Sequence, residues 1–177
     1  STVQANTDAG FSIVTYTGTG ANATVGHGLS SVPKMYIVKR RSNTGNWYTY
    51  HESIGNTKRL RLDETSSATT ESTAWNNTSP TSSVFSIGTS VDVNAGSNTY
   101  VSYVFAEVEG YSKFGSYTGN GNADGTFVYL GFRASLIMSK KTSGTGNWEI
   151  FDTTRDPINY SGKYLLANSS DAEGDTG

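Results

Sequence analysis

Residues 33–47 read PKMYIVKRRSNTGNW, and residues 134–148 read ASLIMSKKTSGTGNW. Apolar positions, a basic pair and the closing Thr-Gly-Asn-Trp align between the two stretches at a constant offset of 101 residues. The same offset relates YTGTG at residues 16–20 to YTGNG at residues 117–121. A repeat at one fixed spacing indicates that a small structural unit has been duplicated in tandem.

The second unit is shorter than the first. We place the two units at residues 1–109 and 110–177, so that only 29 residues follow Trp148 and the counterpart of everything beyond Asn76 is missing. The strands expected to close the first unit therefore have no equivalent in the second, and an open apolar sheet edge invites pairing. Two expectations follow: the chain is a piece of a longer one, or a neighbouring subunit completes the second sheet by strand addition.

The composition indicates an all-β protein. Charged residues make up only 16% of the chain, so its polarity comes mainly from Ser, Thr, Asn and Gly, which favour turns and strand surfaces. Aromatic residues reach 12%, which is too high for a disordered chain and predicts a thin, aromatic core. The net charge of −2 favours no nucleic-acid partner, cysteine is absent, and no apolar run is long enough for membrane insertion.

Strand signals recur at roughly 8 to 12 residues with turn residues between them, which is the spacing of a sandwich or barrel. We predict two tandem, related β-sandwich-like units, of which the second is incomplete. The predicted strands of the first unit are residues 11–16, 35–41, 47–51, 58–62, 84–88 and 99–108. No helical periodicity of useful length is present.

Three local patterns add detail to this prediction. The run at residues 99–108 is apolar on both faces, so we expect it at the centre of a sheet. In KRLRL at residues 58–62, Leu alternates with Arg, which predicts a strand with one buried face and one solvated face. Residues 1–9 and 168–177 are expected to be loops or frayed ends.

The repeated Thr-Gly-Asn-Trp places an indole just after a turn, at the mouth of a strand. An aromatic face at such an edge can stack on a sugar ring, with an amide nearby to bond hydroxyl groups. On this interpretation the candidate glycan-binding residues are Asn46, Trp47, Trp75, Asn147 and Trp148. The competing interpretation is a core anchor, which repetition in both units favours because Trp is highly buried on average. Trp75 is not duplicated, so that argument does not apply to it.

A weaker pattern suggests a metal site. Asn120, Asn122 and Asp124 match the first half of a calcium-binding loop, but Gly131 stands where the final Glu ligand should be. A simple hairpin turn explains the same residues more readily. His27 lies in a tight turn and could contribute to a metal-binding ring only in a threefold assembly.

No catalytic constellation stands out. The chain lacks the G-x-S-x-G pattern of a nucleophile elbow. The carboxylates available for sugar hydrolysis, Asp63, Glu64, Glu107, Glu109 and Asp124, cannot be paired on sequence grounds. We therefore expect no catalytic residues, no cofactor and no enzymatic activity.

Three longer segments carry a resemblance: GFSIVTYTGTGANATVGHGLSSVPKMYIVKRR (residues 10–41), AWNNTSPTSSVFSIGTS (74–90) and YVSYVFAEVEGYSKFGSYTGNG (100–121). Through them the chain resembles a repeat domain of tail-fibre-like and other virion appendage proteins of bacteriophages, especially phages of marine bacteria and cyanobacteria. The resemblance implies a virion location outside the cell and a structural and host-attachment role. The implied partners are other virion subunits, further copies of the chain in a homo-oligomer such as a trimer, and host cell-surface polysaccharide or lipopolysaccharide.

Two alternatives remain open. The first is a purely structural filament subunit that lends a strand to its neighbour, with residues 1–10 or the run from Thr99 as donor. The second is a capsule depolymerase, which would require two carboxylates converging in one groove.

Overall fold

The computed structural model describes residues 1–157 and 162–175. Strands make up 38% and helices 6% of the described residues, so the fold is all-β, as predicted. The strands are β1 (Thr2–Asn6), β2 (Phe11–Thr17), β3 (Ala23–Gly26), β4 (Pro33–Arg40), β5 (Trp47–His51), β6 (Lys58–Arg61), β7 (Thr69–Thr70), β8 (Val84–Ile87), β9 (Thr99–Ala106), β10 (Leu136–Lys140), β11 (Trp148–Asp152), β12 (Lys163–Leu166) and β13 (Gly174–Asp175). Two one-turn helices, α1 (Ser72–Trp75) and α2 (Val91–Asn94), and a short 3-10 helix at Glu52–Ile54 lie between strands of the first unit.

Seven antiparallel strands form the main sheet in the order β1-β2-β9-β4-β5-β6-β7. β9 lies between β2 and β4, which confirms the expected interior position of residues 99–108. The prediction of a loop at residues 1–9 was wrong, because Thr2–Asn6 forms an edge strand against β2. All five residues of β1 are exposed, so backbone pairing rather than an apolar pattern holds this strand.

A second layer covers one face of the main sheet and makes the first unit sandwich-like. This layer consists of the two-stranded sheet β3-β8 and the helices α1 and α2. Every second residue of β9 is buried beneath it, as the period of two along a strand requires. The core between the layers contains Val14, Tyr16, Val25, Leu29, Tyr36, Val38, Tyr48, Tyr50, Ala74, Trp75, Phe85, Ile87, Val93, Tyr100, Val104 and Ala106.

Aromatic rings form the centre of this core. The ring of Tyr36 stacks on that of Tyr50 with centroids 4.6 Å apart, and it meets the edge of Trp75 at 4.9 Å. Phe85 of the second layer packs on the same tyrosine at 4.7 Å. The indole N–H of Trp75 donates to the Lys58 carbonyl at 3.0 Å, so its one polar atom is satisfied in the core.

Strand β6 departs from the prediction that its arginines face solvent. Leu60 is 2% exposed, but Arg59 on the other face is also buried, at 6%. The Arg59 guanidinium lies over the Tyr48 ring and bonds the Glu71 carboxylate at 2.8 Å. Burial acts to raise the pKa of Glu71, but the hydrogen bond and charge of Arg59, together with hydrogen bonds from Ser90 and Tyr48, outweigh it, so this pKa lies below its ordinary value. The buried arginine is therefore retained as half of an ion pair.

The second sheet repeats part of the first in register. β10 pairs with β11 so that Lys140 lies opposite Trp148, just as Lys39 of β4 lies opposite Trp47 of β5. The order β10-β11-β12-β13 reproduces β4-β5-β6-β7, and the later pairings also match. From β12 onward the offset is 105 rather than 101, because ten residues separate Asp152 from Lys163 in the sequence where six separate His51 from Lys58.

Within the described residues, the second unit contains the counterparts of β4 to β7 of the first unit and no others. Among the described residues, 113–135 contain no strand, so β2 and β3 have no counterpart there. β10 occupies the place of β4 but has a single neighbour in the described structure, β11, where β4 also pairs with β9. The boundary at residue 109 stays a prediction.

The core generates a test at Tyr36, whose buried hydroxyl has no hydrogen-bond partner among the described residues. Tyr36→Phe should leave the free energy of unfolding unchanged or raise it by about 1 kcal/mol, because it removes a desolvated hydroxyl without breaking a bond. Urea denaturation followed by fluorescence measures this quantity.

Tyr100→Phe is the matched control. The Tyr100 hydroxyl accepts from the Ala95 N–H at 2.7 Å and donates to the Val91 carbonyl at 2.8 Å. Removal of this hydroxyl leaves the Ala95 N–H and the Val91 carbonyl without that hydrogen-bond partner, and it should lower the free energy of unfolding by about 1–3 kcal/mol. Equal losses in the two variants would contradict this account of the core.

Candidate functional site

The repeated Thr-Gly-Asn-Trp forms a turn that is built from the strands on either side. In the first unit, the Lys39 ammonium donates to the Gly45 carbonyl, which ties the turn to β4. The backbone N–H of Trp47 donates to the Asp63 carboxylate at 3.0 Å. These bonds place the Trp47 indole at the mouth of β5, as predicted from the sequence.

The second unit builds the same turn from equivalent atoms. The Lys140 ammonium donates to the Gly146 carbonyl at 2.7 Å. The backbone N–H of Trp148 donates to the side-chain oxygen of Asn168 at 2.7 Å, where Asn168 stands in the place of Asp63 at the 105-residue offset. The two turns therefore have the same local construction, and any difference between them comes from their surroundings.

Trp148 is buried because it contacts the first unit. It is 4% exposed, and its indole N–H donates to the Arg61 carbonyl at 2.8 Å. It is also the one buried hydrophobic residue among the described residues of the second unit. Trp148 is buried, as the anchor interpretation expected, but it joins two units and does not fill the core of one.

Backbone and lysine contacts extend this connection. The Thr65 carbonyl accepts from the Lys140 ammonium and from the Gly146 N–H, each at 3.0 Å. The Ala68 N–H donates to the Thr142 carbonyl, also at 3.0 Å. We call the set the inter-unit joint; it comprises Lys140, Thr142, Gly146 and Trp148 of the second unit with Arg61, Thr65 and Ala68 of the first.

Trp47 has different surroundings from its copy. Its indole is half-buried on the outer face of the main sheet, where it stacks with Tyr103 of β9 at 6.4 Å. The Lys39 ammonium lies 5.6 Å from the centre of the indole. We call Trp47, Tyr103 and Lys39 the Trp47 shelf. Sequence reasoning missed Tyr103, because only strand register shows that β9 brings it beside Trp47.

Of the other candidate glycan-binding residues, Asn46 adjoins Trp47 in the chain, whereas Trp75, Asn147 and Trp148 lie elsewhere. Trp75 is fully buried in the core, so its ring is covered on all sides. The backbone N–H of Asn46 donates to the Asp92 carboxylate at 3.0 Å. The side-chain oxygen of Asn147 accepts from the side-chain amide of Asn168 at 2.9 Å. Of the three candidate indoles, the structure leaves that of Trp47 accessible to a ligand.

The candidate metal residues lie in an exposed turn. The Asn120 side chain accepts from the Asn122 N–H at 3.0 Å and donates to the Asp124 carbonyl at 2.9 Å. These bonds are those of an Asx turn. Among the described residues, no group of three or more His, Cys, Asp or Glu side chains could hold a metal ion.

His27 is a buried, neutral side chain. Its Nδ1 accepts from the Leu29 N–H at 3.2 Å, and its Nε2 lies 3.1 Å from the Thr81 carbonyl, to which the neutral ring donates. Burial lowers the pKa of His27 despite the raising effect of that carbonyl. Both ring nitrogens are used inside the first unit, so this geometry does not support the metal-ring hypothesis.

Several carboxylates considered for sugar hydrolysis make separate structural contacts. Asp63 holds the Trp47 N–H, Glu64 pairs with Arg61, and Glu107 pairs with Lys113. Near the joint a shallow depression of about 530 Å³ is lined by Asp63, Glu64, Thr65, Ser66, Thr145 and Asn168. Its two acids are those already bonded to Trp47 and Arg61, so we do not propose the depolymerase alternative.

Strand β10 presents an apolar open edge. Its residues are much more exposed than their counterparts in β4: Leu136 at 62%, Ile137 at 49% and Met138 at 37%, against Met35 at 9%, Tyr36 at 0% and Ile37 at 7%. The difference arises because β9 and the second layer cover β4, and nothing in the described structure covers β10 in the same way. We call Leu136–Lys140 the open edge.

Comparisons with known proteins add a family. A family described as "Domain of unknown function (DUF7483)" matches residues 1–177. Neither the search of curated proteins nor the search of solved structures found a match. Among the described residues, no helix has the length and apolar character needed to span a membrane.

The inter-unit joint predicts that Trp148 holds the second sheet in place. Trp148→Ala should lower the stability of the second sheet by about 3–5 kcal/mol, because it removes a buried indole. The expected result is fast amide hydrogen exchange across β10, β11 and β12, with the first unit still protected. The matched control is Trp47→Ala, which removes the equivalent indole from the first unit and should leave exchange in β10 and β11 unchanged. Retained protection of these strands in Trp148→Ala would show that the joint does not support the second sheet.

Proposed function

The chain belongs to the DUF7483 family along residues 1–177, and we propose that it is a structural repeat component of a bacteriophage virion appendage, such as a tail fibre or spike. One observation carries this proposal. The four-strand arrangement β4-β5-β6-β7 returns as β10-β11-β12-β13 in the same register, and the second copy docks on the first through Trp148. Stacked repeats of this kind build extended assemblies, because each repeat contacts its neighbours.

The virion part of the proposal rests on the sequence resemblance. The segments at 10–41, 74–90 and 100–121 resemble a repeat domain of phage appendage proteins, and this resemblance implies a structural and host-attachment role. The low proportion of charged residues and the net charge of −2 also suit a protein that binds other proteins or neutral sugars more than a polyanion.

Virion location can be tested directly. Antibodies raised against the 177-residue chain, conjugated to gold, should label the tail or a surface appendage of phage particles that encode it. Particles treated with non-immune antibody are the control. Absence of the chain from purified particles, by labelling and by mass spectrometry, would contradict the proposed role.

The open edge supports assembly with a neighbouring copy. A strand placed beside β10 would occupy the position that β9 holds beside β4 and would cover the exposed apolar residues. Of the two donors considered from the sequence, β9 already has two neighbours, whereas β1 is an exposed edge strand with one. We therefore propose Thr2–Asn6 of another copy as the donor.

Ile137→Lys tests the open edge. A charge on an edge strand disfavours pairing with another strand, so the variant should weaken self-association by about tenfold or more, equivalent to ~1.4 kcal/mol. Sedimentation velocity over a range of protein concentrations provides the measurement. Val91→Lys is the matched control, because it places the same charge at an exposed apolar residue of the first unit. If both variants associate like the unmodified chain, the open edge is not used.

Host attachment is a second candidate function, and the Trp47 shelf favours it. An accessible indole stacked beside Tyr103, with the Lys39 ammonium close by, could bind a sugar ring of host polysaccharide or lipopolysaccharide through its C–H face. Symmetric copies would raise the strength of such weak sites. The structural role is the better supported of the two, because the equivalent indole of the second unit contacts protein.

A further inference from the structure

Both sides of the inter-unit joint occur twice in the chain. On the first unit, the equivalents of Lys140, Thr142, Gly146 and Trp148 are Lys39, Arg41, Gly45 and Trp47. We call these four residues the first-unit face. The face has the same internal geometry as its copy, with lysine bonded to the glycine carbonyl and paired across two strands with tryptophan.

The second unit carries the equivalent of the surface that receives Trp148. At the 105-residue offset, Arg61, Thr65 and Ala68 correspond to Leu166, Ser170 and Glu173. We call residues 166–173 the second-unit segment.

The local turns agree in detail. The Glu64 N–H donates to the Arg61 carbonyl at 3.3 Å, and the Ser169 N–H donates to the Leu166 carbonyl at the same distance. The carbonyls of Trp47 and Trp148 also accept equivalent bonds, from the N–H groups of the residues that follow Arg61 and Leu166. The second-unit segment therefore presents its backbone as the first unit does at the joint.

Both surfaces are accessible in the described structure. Trp47 is half-buried and Arg41 is exposed, whereas Trp148 at the joint is buried. Most of the second-unit segment is exposed, including Ser170 and Glu173. The Glu173 carboxylate lies 3.7 Å from the Arg155 guanidinium and 4.0 Å from the Lys163 ammonium, so an arginine of another copy would join two basic groups that already face it. Two surfaces that are complementary inside the chain are thus both available at its outer faces.

Charge adds a second argument. At the inter-unit joint, the backbone N–H of Ala68 donates to the backbone carbonyl of Thr142, and neither residue has a charged side chain. The equivalent residues on the accessible surfaces are Glu173 and Arg41, which carry opposite charges. A contact between two copies in the geometry of the joint would therefore bring an acid beside a base where the internal contact has a neutral pair. Such complementarity favours the correct partner and orientation.

We propose that the first-unit face of one copy binds the second-unit segment of another, which repeats the inter-unit joint between chains. The Trp47 indole N–H donates to the Leu166 carbonyl of the neighbouring copy, and Arg41 lies beside its Glu173. The contact uses two different surfaces, so it is heterologous and generates a ring or a filament. This inference rests on the proposed structural role and names the partner and the surface.

A protein partner accounts for more of the first-unit face than a glycan does. Sugar stacking would use Trp47, but it gives no reason for the shared arrangement of the lysine, the glycine and the indole. The same three groups contact the first unit in the second copy of the turn. A glycan also gives no reason for opposite charges at Arg41 and Glu173.

Charge reversal tests the contact in the 177-residue protein. R41E and E173R should each weaken self-association by about tenfold or more, as measured by sedimentation velocity, because each places like charges together. A mixture of the two variants should restore association, since the unmodified Glu173 of one meets the unmodified Arg41 of the other. Trp47→Ala should weaken association as strongly as either. R133E is the control, because Arg133 is an exposed arginine outside both surfaces.

The outcomes separate this inference from the structural role. Association that is lost in Ile137→Lys but unchanged in R41E, E173R and Trp47→Ala would overturn the end-to-end contact and leave assembly through the open edge intact. Failure of the mixture to recover association would also overturn it. A chain that stays monomeric but retains host polysaccharide through Trp47 would overturn the contact and support host attachment instead.

Discussion

The register between β4 and β5 is the constraint on which the rest of the structure depends. It sets Tyr36 opposite Tyr50 on the inner face and Lys39 opposite Trp47 on the outer end of the pair. Because side chains alternate along a strand, a slip of one residue would move the aromatic rings away from Trp75 and bury the lysine. The same pairing thus determines both the core and the indole-bearing turn. Its conservation in β10 and β11, with different side chains, shows that the turn and the register were duplicated together.

In the part of the chain that the structure describes, the second unit keeps this register without the covering layer that packs on it in the first unit. Where Tyr36 and Tyr50 face a covered core, Ile137 and Phe151 pair in the same register without a described second layer. The apolar residues of β10 are exposed as a consequence. Contact with the first unit through Trp148 compensates in part, since it gives the small sheet its buried anchor. Stability of the second unit therefore depends on a neighbour, which is the general condition of stacked repeats.

Much of the fold could be predicted from the sequence, because its strongest signals are local. Duplication, the central position of β9 and the aromatic core follow from repeats, alternation and composition. β1 was missed because its side chains are all exposed and carry no apolar period. Arg59 was expected to face solvent, since alternation alone cannot show that Glu71 lies close enough to pair with it. The Trp47 shelf and the inter-unit joint depend on Tyr103 and on the Arg61 carbonyl, which strand order and unit docking bring into place.

The contrast between Trp47 and Trp148 shows what repetition can and cannot indicate. Both follow the same turn, face the same paired lysine and extend from the same strand position, yet one indole is half-exposed and the other is buried. The difference arises because Trp148 contacts the first unit, whereas no described unit covers Trp47 in the same way. An exposed indole in a repeat protein therefore need not be a ligand platform. The Trp148 indole already donates to a protein carbonyl, so an equivalent bond from Trp47 to another unit is the simpler explanation of its exposure. The opposite charges of Arg41 and Glu173 favour one orientation of that contact.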